Sequence, residues 1–272
     1  MAETLRTYSK SNPEKELLPP QVLMPIDAES VGVSSIKNLA DGFQKQDLEI
    51  MPKAFFILIS GGEAREKDYF RIISSHDKFE RIKIDFIADP LKLSPCGMFE
   101  VAQYKKARYN SSKNTDAEPD RIYLISDVDH YIAELLQIRP KCIKEGFSLI
   151  ISNSCFEVWL YYAYCDSLPN FTIPSNYLTI SSKFEGWLLR AIRGGVKTTR
   201  AILSIGQNIE HAKKNYKEDI NGIPELFSTN MFELAQDLLP LIEPELTALI
   251  EENKMNEAKY RRKGNKSNTA QS

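Results

Sequence analysis

Acidic residues come directly after two apolar segments of the chain, residues 54–60 and 121–126. These acids are Glu63 and Glu66 after the first segment and Asp127 and Asp129 after the second. Carboxylates that converge repel one another, and a hard cation relieves the repulsion because carboxylate oxygens are suitable ligands for it. We predict a Mg²⁺ (or Mn²⁺) site held by Asp127, Asp129 and Glu63. All four acids are candidate catalytic residues for phosphoryl chemistry, in which a metal polarises phosphate and activates water.

Three further polar residues are candidate accessory members of this site. His130 could orient a phosphate or carry a proton, or could simply pair with Asp129. Glu157 lies in a strongly apolar segment, where it is either a site residue or a buried acid with a structural partner. Asn153 follows a predicted strand, and a helix cap or turn is the more common role for such a residue.

Other protein classes use a similar Asp pair. A single Asp at a strand end often only caps the next helix. Phosphatases of the haloacid-dehalogenase type carry the pair on their first strand, with Thr or Val two places beyond, where this chain has Tyr131. Metal-dependent glycosyltransferases hold a nucleotide diphosphate with such a pair, so a nucleotide or nucleotide-sugar site is an alternative. Neither enzyme class requires an acidic turn after an earlier strand.

The elements that must position these residues alternate along the chain. Strands are predicted at 54–60, 82–88, 121–126 and 147–152, with helices at 63–74, 98–108, 130–137 and 155–164. Such alternation predicts an α/β fold with a parallel sheet, and ligands gather beyond the carboxyl ends of parallel strands. Further helices are predicted at 183–193, 198–215 and 230–253, the last broken by Pro240 and Pro244.

The pattern divides the chain into four parts. Residues 1–52 are a polar arm with a short helix near 36–46, 53–166 an α/β core, 167–253 a helical region and 254–272 a basic, flexible tail. The net charge of −2 provides no overall basic field for a polyanion. A nucleic-acid partner would therefore need local cations, and Arg193, Lys197 and Arg200 are the candidates. An exposed connection between helices is the commoner reading of that stretch.

The cysteine pattern and the hydropathy indicate the compartment. The four cysteines match no zinc-binding spacing, and Cys155 and Cys165 lie in apolar surroundings typical of small core residues. No signal peptide and no membrane-spanning run is evident, so we expect a cytoplasmic protein with free thiols and no membrane association. The sequence does not indicate an oligomeric state.

Three segments of the chain resemble, in order and spacing, the RloB family of bacterial proteins. Residues 58–70 (LISGGEAREKDYF) are similar to the family pattern EGExTExxYF, residues 124–131 (LISDVDHY) to FDxDxH, and residues 150–164 (IISNSCFEVWLYYAY) to SNPCFExWLLLHF. The resemblance implies a Toprim-like fold, a Mg²⁺ site and nuclease activity in defence against phage or foreign DNA. It also implies an ATPase partner of the RloA-like or AAA type.

The chain departs from the family pattern at two positions. Gly61 occupies the first acidic position of the turn, where the family carries the glutamate often assigned as general acid/base, and glycine can neither bind a metal nor move a proton. Ser154 replaces a proline, which changes only the rigidity of a turn. Either Glu63 takes the missing role, or the protein is a catalytically degenerate partner of an ATPase or other effector.

Overall fold

Four parallel strands form the centre of the protein in a computed structural model. The model describes residues 53–269 except 63, 75–78, 89–92, 112–118 and 129–130, and for 110–111, 177 and 253–269 it describes the backbone alone. The strands are β1 (Ala54–Ser60), β2 (Ile82–Ala88), β3 (Arg121–Asp127) and β4 (Ser148–Ser152), in the spatial order β2-β1-β3-β4. Every residue of β1 is buried, as its continuous apolar run predicts.

Helices follow each strand and then dominate the second half of the chain. Their bounds are α1 (Ala64–Ser74), α2 (Pro95–Ser111), α3 (Ile132–Glu145), α4 (Glu157–Tyr161), α5 (Ile180–Ala191), α6 (Thr198–Leu203), α7 (Ile205–Asn215) and α8 (Met231–Thr269). The α/β fold with a parallel sheet flanked by helices is therefore confirmed, and it is consistent with a Toprim-like arrangement. None of the described helices combines the length and the apolar character needed to cross a bilayer.

The sheet has its topological switch point between β1 and β3. The chain leaves β1 for β2 on one side, then returns past β1 to form β3 and β4 on the other side. Helix α1 packs on one face of the sheet, with Phe56 and Leu58, whereas α2 and α3 pack on the opposite face, with Ile57. Connections that diverge in this way leave a crevice at the carboxyl ends of the two central strands.

The later helices complete the face on which α1 lies. Buried side chains of α4 to α8 join those of β1, β3 and β4 in one apolar cluster, among them Trp159, Phe184 and Leu238. The segment 227–230 runs antiparallel beside the outer strand β4 through the Ser152–Thr229 bridge. Asn230 extends this contact, because its side chain accepts from the Ile151 N–H at 2.6 Å and donates to the Leu149 carbonyl at 3.0 Å. The edge of β4 is thereby covered.

Two helices run through prolines. Helix α3 continues past Pro140 to Glu145, and α8 is unbroken at Pro240 and Pro244, so the break predicted at those two prolines is wrong. Apolar residues before, between and after the two prolines of α8 are buried in the main cluster: Leu238, Ile242 and Leu246. Tertiary packing of an apolar face outweighs the hydrogen bonds that prolines remove.

Two other helices are shorter than their apolar patterns predict. The expected helix 155–164 is reduced to the five residues of α4, and the expected helix 198–215 divides at Ser204 into α6 and α7. The Ser204 hydroxyl donates to the Arg200 carbonyl at 2.8 Å, and serine side chains that bond the backbone in this way compete with regular helix. The predicted helix near 36–46 lies outside the described residues.

Candidate functional site

The site is built where β1 and β3 end. Beyond the last residue of β1, the Gly61 N–H donates to the Ile125 carbonyl at 3.0 Å, which continues the ladder between these two strands. Asp127 is the last residue of β3; it is half-buried and pairs in register with Ser152 of β4. The predicted acidic residue therefore lies at the carboxyl edge of the sheet, beside the switch point.

Glu66 occupies the turn that follows β1. It lies in the first turn of α1, and only 6% of its surface is exposed. Its carboxylate lies directly against Gly62, so closely that a Cβ atom on residue 62 would collide with both carboxylate oxygens. The Gly62 N–H donates to the Ser60 hydroxyl at 3.1 Å, which fixes this turn at the end of β1. A glycine at position 62 is thus needed for Glu66 to be buried at this edge.

A second acid, Glu157, lies near the thiol of Cys155. Cys155 is buried, and burial raises the pKa of its thiol well above the ordinary value. The negative charges of Glu157 and Asp127 raise that pKa further. The Ser154 hydroxyl donates to the sulfur at 3.7 Å, and a Glu157 carboxylate oxygen lies within 4.8 Å of it. The thiol remains protonated at neutral pH.

Glu157 is held by an arginine from the turn that carries Glu66. Glu157 is 7% exposed, in the first turn of α4, and its Oε1 lies 3.4 Å from Nε of Arg65. The Arg65 side chain is 48% exposed. The pair joins the first turns of α1 and α4. Three acids lie at or beyond the carboxyl ends of β1, β3 and β4, and we call them the acidic edge: Glu66, Asp127 and Glu157.

One group of side chains in the described part of the chain is compact enough to hold a metal ion. Cys155, Glu157 and Glu185 each offer a ligand atom, and these atoms lie within 4.8 Å of one another. The group does not include the predicted ligand Asp127, and Glu63, Asp129 and His130 are outside the described residues. The oxygen ligands of Glu157 and Glu185 suit a hard cation, whereas a protonated thiol does not.

Asn153 has a structural role in the turn after β4. Its side-chain amide donates to the Pro224 carbonyl at 2.8 Å, and its backbone exchanges hydrogen bonds with Phe227 and Ser228. The peptide bond to Ser154 is cis. Asn153 is a turn residue, one of the two roles favoured from sequence, and it does not cap α4, whose N-cap is Phe156. Its amide group fastens the covering segment to the end of β4.

The basic stretch lies in the connection between α5 and α6. Arg193 and Lys197 are exposed, and the turn between them contains Gly194 at φ +81° and Gly195 at φ +69°. Arg200 is used in packing, because its Nε donates to the Ala163 carbonyl at 3.2 Å and its guanidinium lies 4.4 Å from the centre of the Tyr164 ring. All three basic residues of the stretch are exposed.

Sequence reasoning overlooked three members of this edge. Cys155 was predicted to be a core residue, and it is buried, but its thiol also lies within 4.8 Å of carboxylate oxygens of Glu157 and Glu185. Arg65 follows Glu63 and precedes Glu66, and that position was the available signal for it. Glu185 comes from α5, in a part of the chain with no recognisable motif, so only the fold could bring it here.

Position 61 is tightly enclosed. A Cβ atom there would lie 3.1 Å from the Leu93 carbonyl oxygen and 3.8 Å from the Ile125 carbonyl oxygen. A contact of 3.1 Å requires Leu93 to shift by a few tenths of an ångström. The Leu93 backbone therefore packs closely against Gly61.

Comparison with known proteins gives the family of the chain. No curated protein and no solved structure matches it. The model of the RloB-like protein family matches residues 56–238, which is more than half of the chain. This range contains all three resembling segments and the whole acidic edge. The chain therefore belongs to the RloB-like protein family.

Proposed function

We propose that this protein is a nuclease, or a related phosphoryl-transfer enzyme, that depends on Mg²⁺ or Mn²⁺ and works in bacterial defence. The observation that carries the proposal is the acidic edge at the switch point between β1 and β3, where Asp127 ends β3 and Glu66 lies in the first turn of the helix that follows β1. Membership of the RloB-like family adds to it. A cytoplasmic location and an RloA-like or AAA-type ATPase partner belong to the same proposal.

The oxygen ligands at this edge suit a divalent cation. Glu66 is a buried carboxylate in the first turn of α1, and carboxylate oxygens are the ligands that a hard divalent cation prefers. Asp127 and Asp129, with Glu63, would hold the ion, which when bound polarises a phosphate and lowers the pKa of water. The residues present therefore fit the metal that the family resemblance implies.

The side chains have separate tasks in this proposal. Glu63 or Glu66 accepts the proton of the attacking water at a carboxylate oxygen, because Gly61 cannot do so. His130 orients the phosphate or carries a proton to the leaving oxygen. Arg193 and Lys197 supply exposed cations for a nucleic-acid backbone. Arg200 packs against Tyr164.

The test is cleavage of plasmid, single-stranded DNA and RNA by the purified protein with Mg²⁺, Mn²⁺ or EDTA. Asp127→Asn and Glu66→Gln should abolish metal-dependent cleavage. The matched control is Asp68→Asn, which removes a carboxylate from an exposed position of α1. If the parent cleaves nothing, or Asp127→Asn cleaves as fast as the parent, the enzymatic proposal is rejected.

A second candidate function is a non-catalytic partner of an ATPase or another effector. The tight space at Gly61 favours it, because a glutamate there requires Leu93 to move. Gly61→Glu tests it, with Gly61→Ala as the control for the added Cβ atom alone. A gain of cleavage in Gly61→Glu would support degeneration of the parent, and cleavage by the parent itself would exclude it.

A further inference from the structure

A small cleft opens beside the acidic edge. Its volume is about 160 Å³, and it lies between the first turns of α1 and α4 and one side of α5. The residues on its walls that matter here are Arg65, Glu157, Ser182, Glu185 and Gly186. Since Arg65 precedes Glu66 in the first turn of α1, the cleft borders the turn that carries Glu66.

The Arg65–Glu157 pair adds little to stability, although forming it requires the Glu157 carboxylate to be buried. A half-exposed arginine contributes little to stability through such a pair, because solvent screens the interaction. Burying a carboxylate to 7% exposure has a cost, and an apolar replacement of a buried ion pair is often neutral or stabilising. Arrangements that stability does not explain are concentrated at functional sites.

The geometry leaves most of the Arg65 guanidinium available. Its contact with Glu157 is through Nε, at 3.4 Å, which leaves the two terminal nitrogens. With 48% of the side chain exposed, these nitrogens are accessible from the cleft side. A guanidinium has a planar set of donors that matches two oxygens of a phosphate group, and fixing one nitrogen orients the others.

A polyanion that approaches this edge meets the repulsion of several carboxylates. Arg65 is a cationic side chain in contact with that acidic group, through Glu157. We propose that Arg65 binds a phosphate of the substrate backbone next to the reacting phosphate, and that Glu157 is a positioning residue that orients Arg65. This inference rests on the proposed function and specifies a phosphodiester chain as the class of substrate.

The experiment measures binding of fluorescently labelled single-stranded DNA and RNA oligonucleotides by polarisation, in EDTA and in Ca²⁺. Arg65→Ala should weaken binding by about tenfold or more, as expected for loss of a charge-assisted hydrogen bond, and should reduce the salt slope by about 1. Arg65→Lys should keep only part of the affinity of the parent, because lysine keeps the charge but lacks the planar set of donors. Thermal melting of each variant shows whether it is folded.

The control is Arg71→Ala. Arg71 also lies in α1 and also contacts a carboxylate at 3.4 Å, that of Asp68, but its side chain is 68% exposed and its partner is not buried. Arg71→Ala should bind as the parent does. Glu157→Gln should raise KM for cleavage more than it lowers kcat, since it releases Arg65 without removing it.

The outcomes separate the two proposals. If the parent binds and cleaves nucleic acid but Arg65→Ala binds as tightly as Arg71→Ala, the role of Arg65 is rejected and the proposed function stands. If the parent neither binds nor cleaves, both are rejected. Folded Arg65→Lys with the full affinity of the parent would also contradict phosphate recognition by the planar guanidinium.

Discussion

Asp237 fastens the long helix α8 to the start of β3, and its removal tests the packing of the two layers. Its Oδ2 accepts from NH1 of Arg121 at 2.6 Å and from the Tyr123 hydroxyl at 2.7 Å. Tyr123 is only 1% exposed, and burial together with the Asp237 carboxylate raises the pKa of its hydroxyl, which stays a donor.

The expected cost of Asp237→Ala follows from these surroundings. A buried hydroxyl left without its acceptor costs about 1–3 kcal/mol. The bond from Arg121, whose side chain is 52% exposed, adds about 0–1 kcal/mol. We expect a loss of about 2–3 kcal/mol in the free energy of unfolding, or a fall of roughly 4–12 °C in Tm.

Urea denaturation of Asp237→Ala, Tyr123→Phe and the double variant measures this cost. In the Tyr123→Phe background no hydroxyl is stranded, so Asp237→Ala should cost only about 1 kcal/mol or less. An equal cost in both backgrounds would refute the assignment of the penalty to Tyr123. Activity per folded molecule should be unchanged, because this contact is at the opposite end of β3 from Asp127.

Three further predictions concern other contacts. Hydrogen bonds from Ser94 and from the Cys96 N–H lower the pKa of Glu134. The contribution of this carboxylate to stability is therefore present above its unfolded pKa and is lost as pH falls. Glu134→Gln should destabilise the protein at pH 7, and the difference in Tm from the parent should shrink in melting curves below about pH 4. Gly186→Ala, in the interior of α5 with open space at its Cβ, should raise the free energy of unfolding by about 0.5–1 kcal/mol in urea titrations, whereas a loss would indicate a hidden contact. Asn230→Ala leaves two backbone groups of β4 without partners and should lower the free energy of unfolding by about 2–4 kcal/mol. Light scattering should show increased association, because the edge of β4 is less well covered, and a monomer as stable as the parent would contradict this role.

The sheet could be predicted from the sequence because its signals are local. The apolar run of β1 and the acids at the strand ends place Asp127 and Glu66 at one edge without knowledge of the tertiary structure. The RloB resemblance agrees with the family match. The site beyond that edge depends on side chains far apart in sequence: Glu185 approaches Glu157 only because α5 packs beside α4.

Helix ends were harder to predict because packing decides them. Pro240 and Pro244 are strong breakers in isolation, yet α8 has completely buried side chains on both sides of them. Conversely, the apolar run from Cys155 predicts a long helix but yields α4 alone, since its residues are buried on all sides and need no single helical face. Periodicity cannot distinguish these cases.

The cover on β4 has a consequence for synthesis on the ribosome. β4 is complete at Ser152, but residues 227–230, which pair beside it, are made much later. At about 5–20 residues per second, the interval is on the order of 4–15 s. Throughout that time the outer edge of β4 is unpaired in the nascent sheet. This chain should therefore require chaperone protection until its last helix begins to emerge.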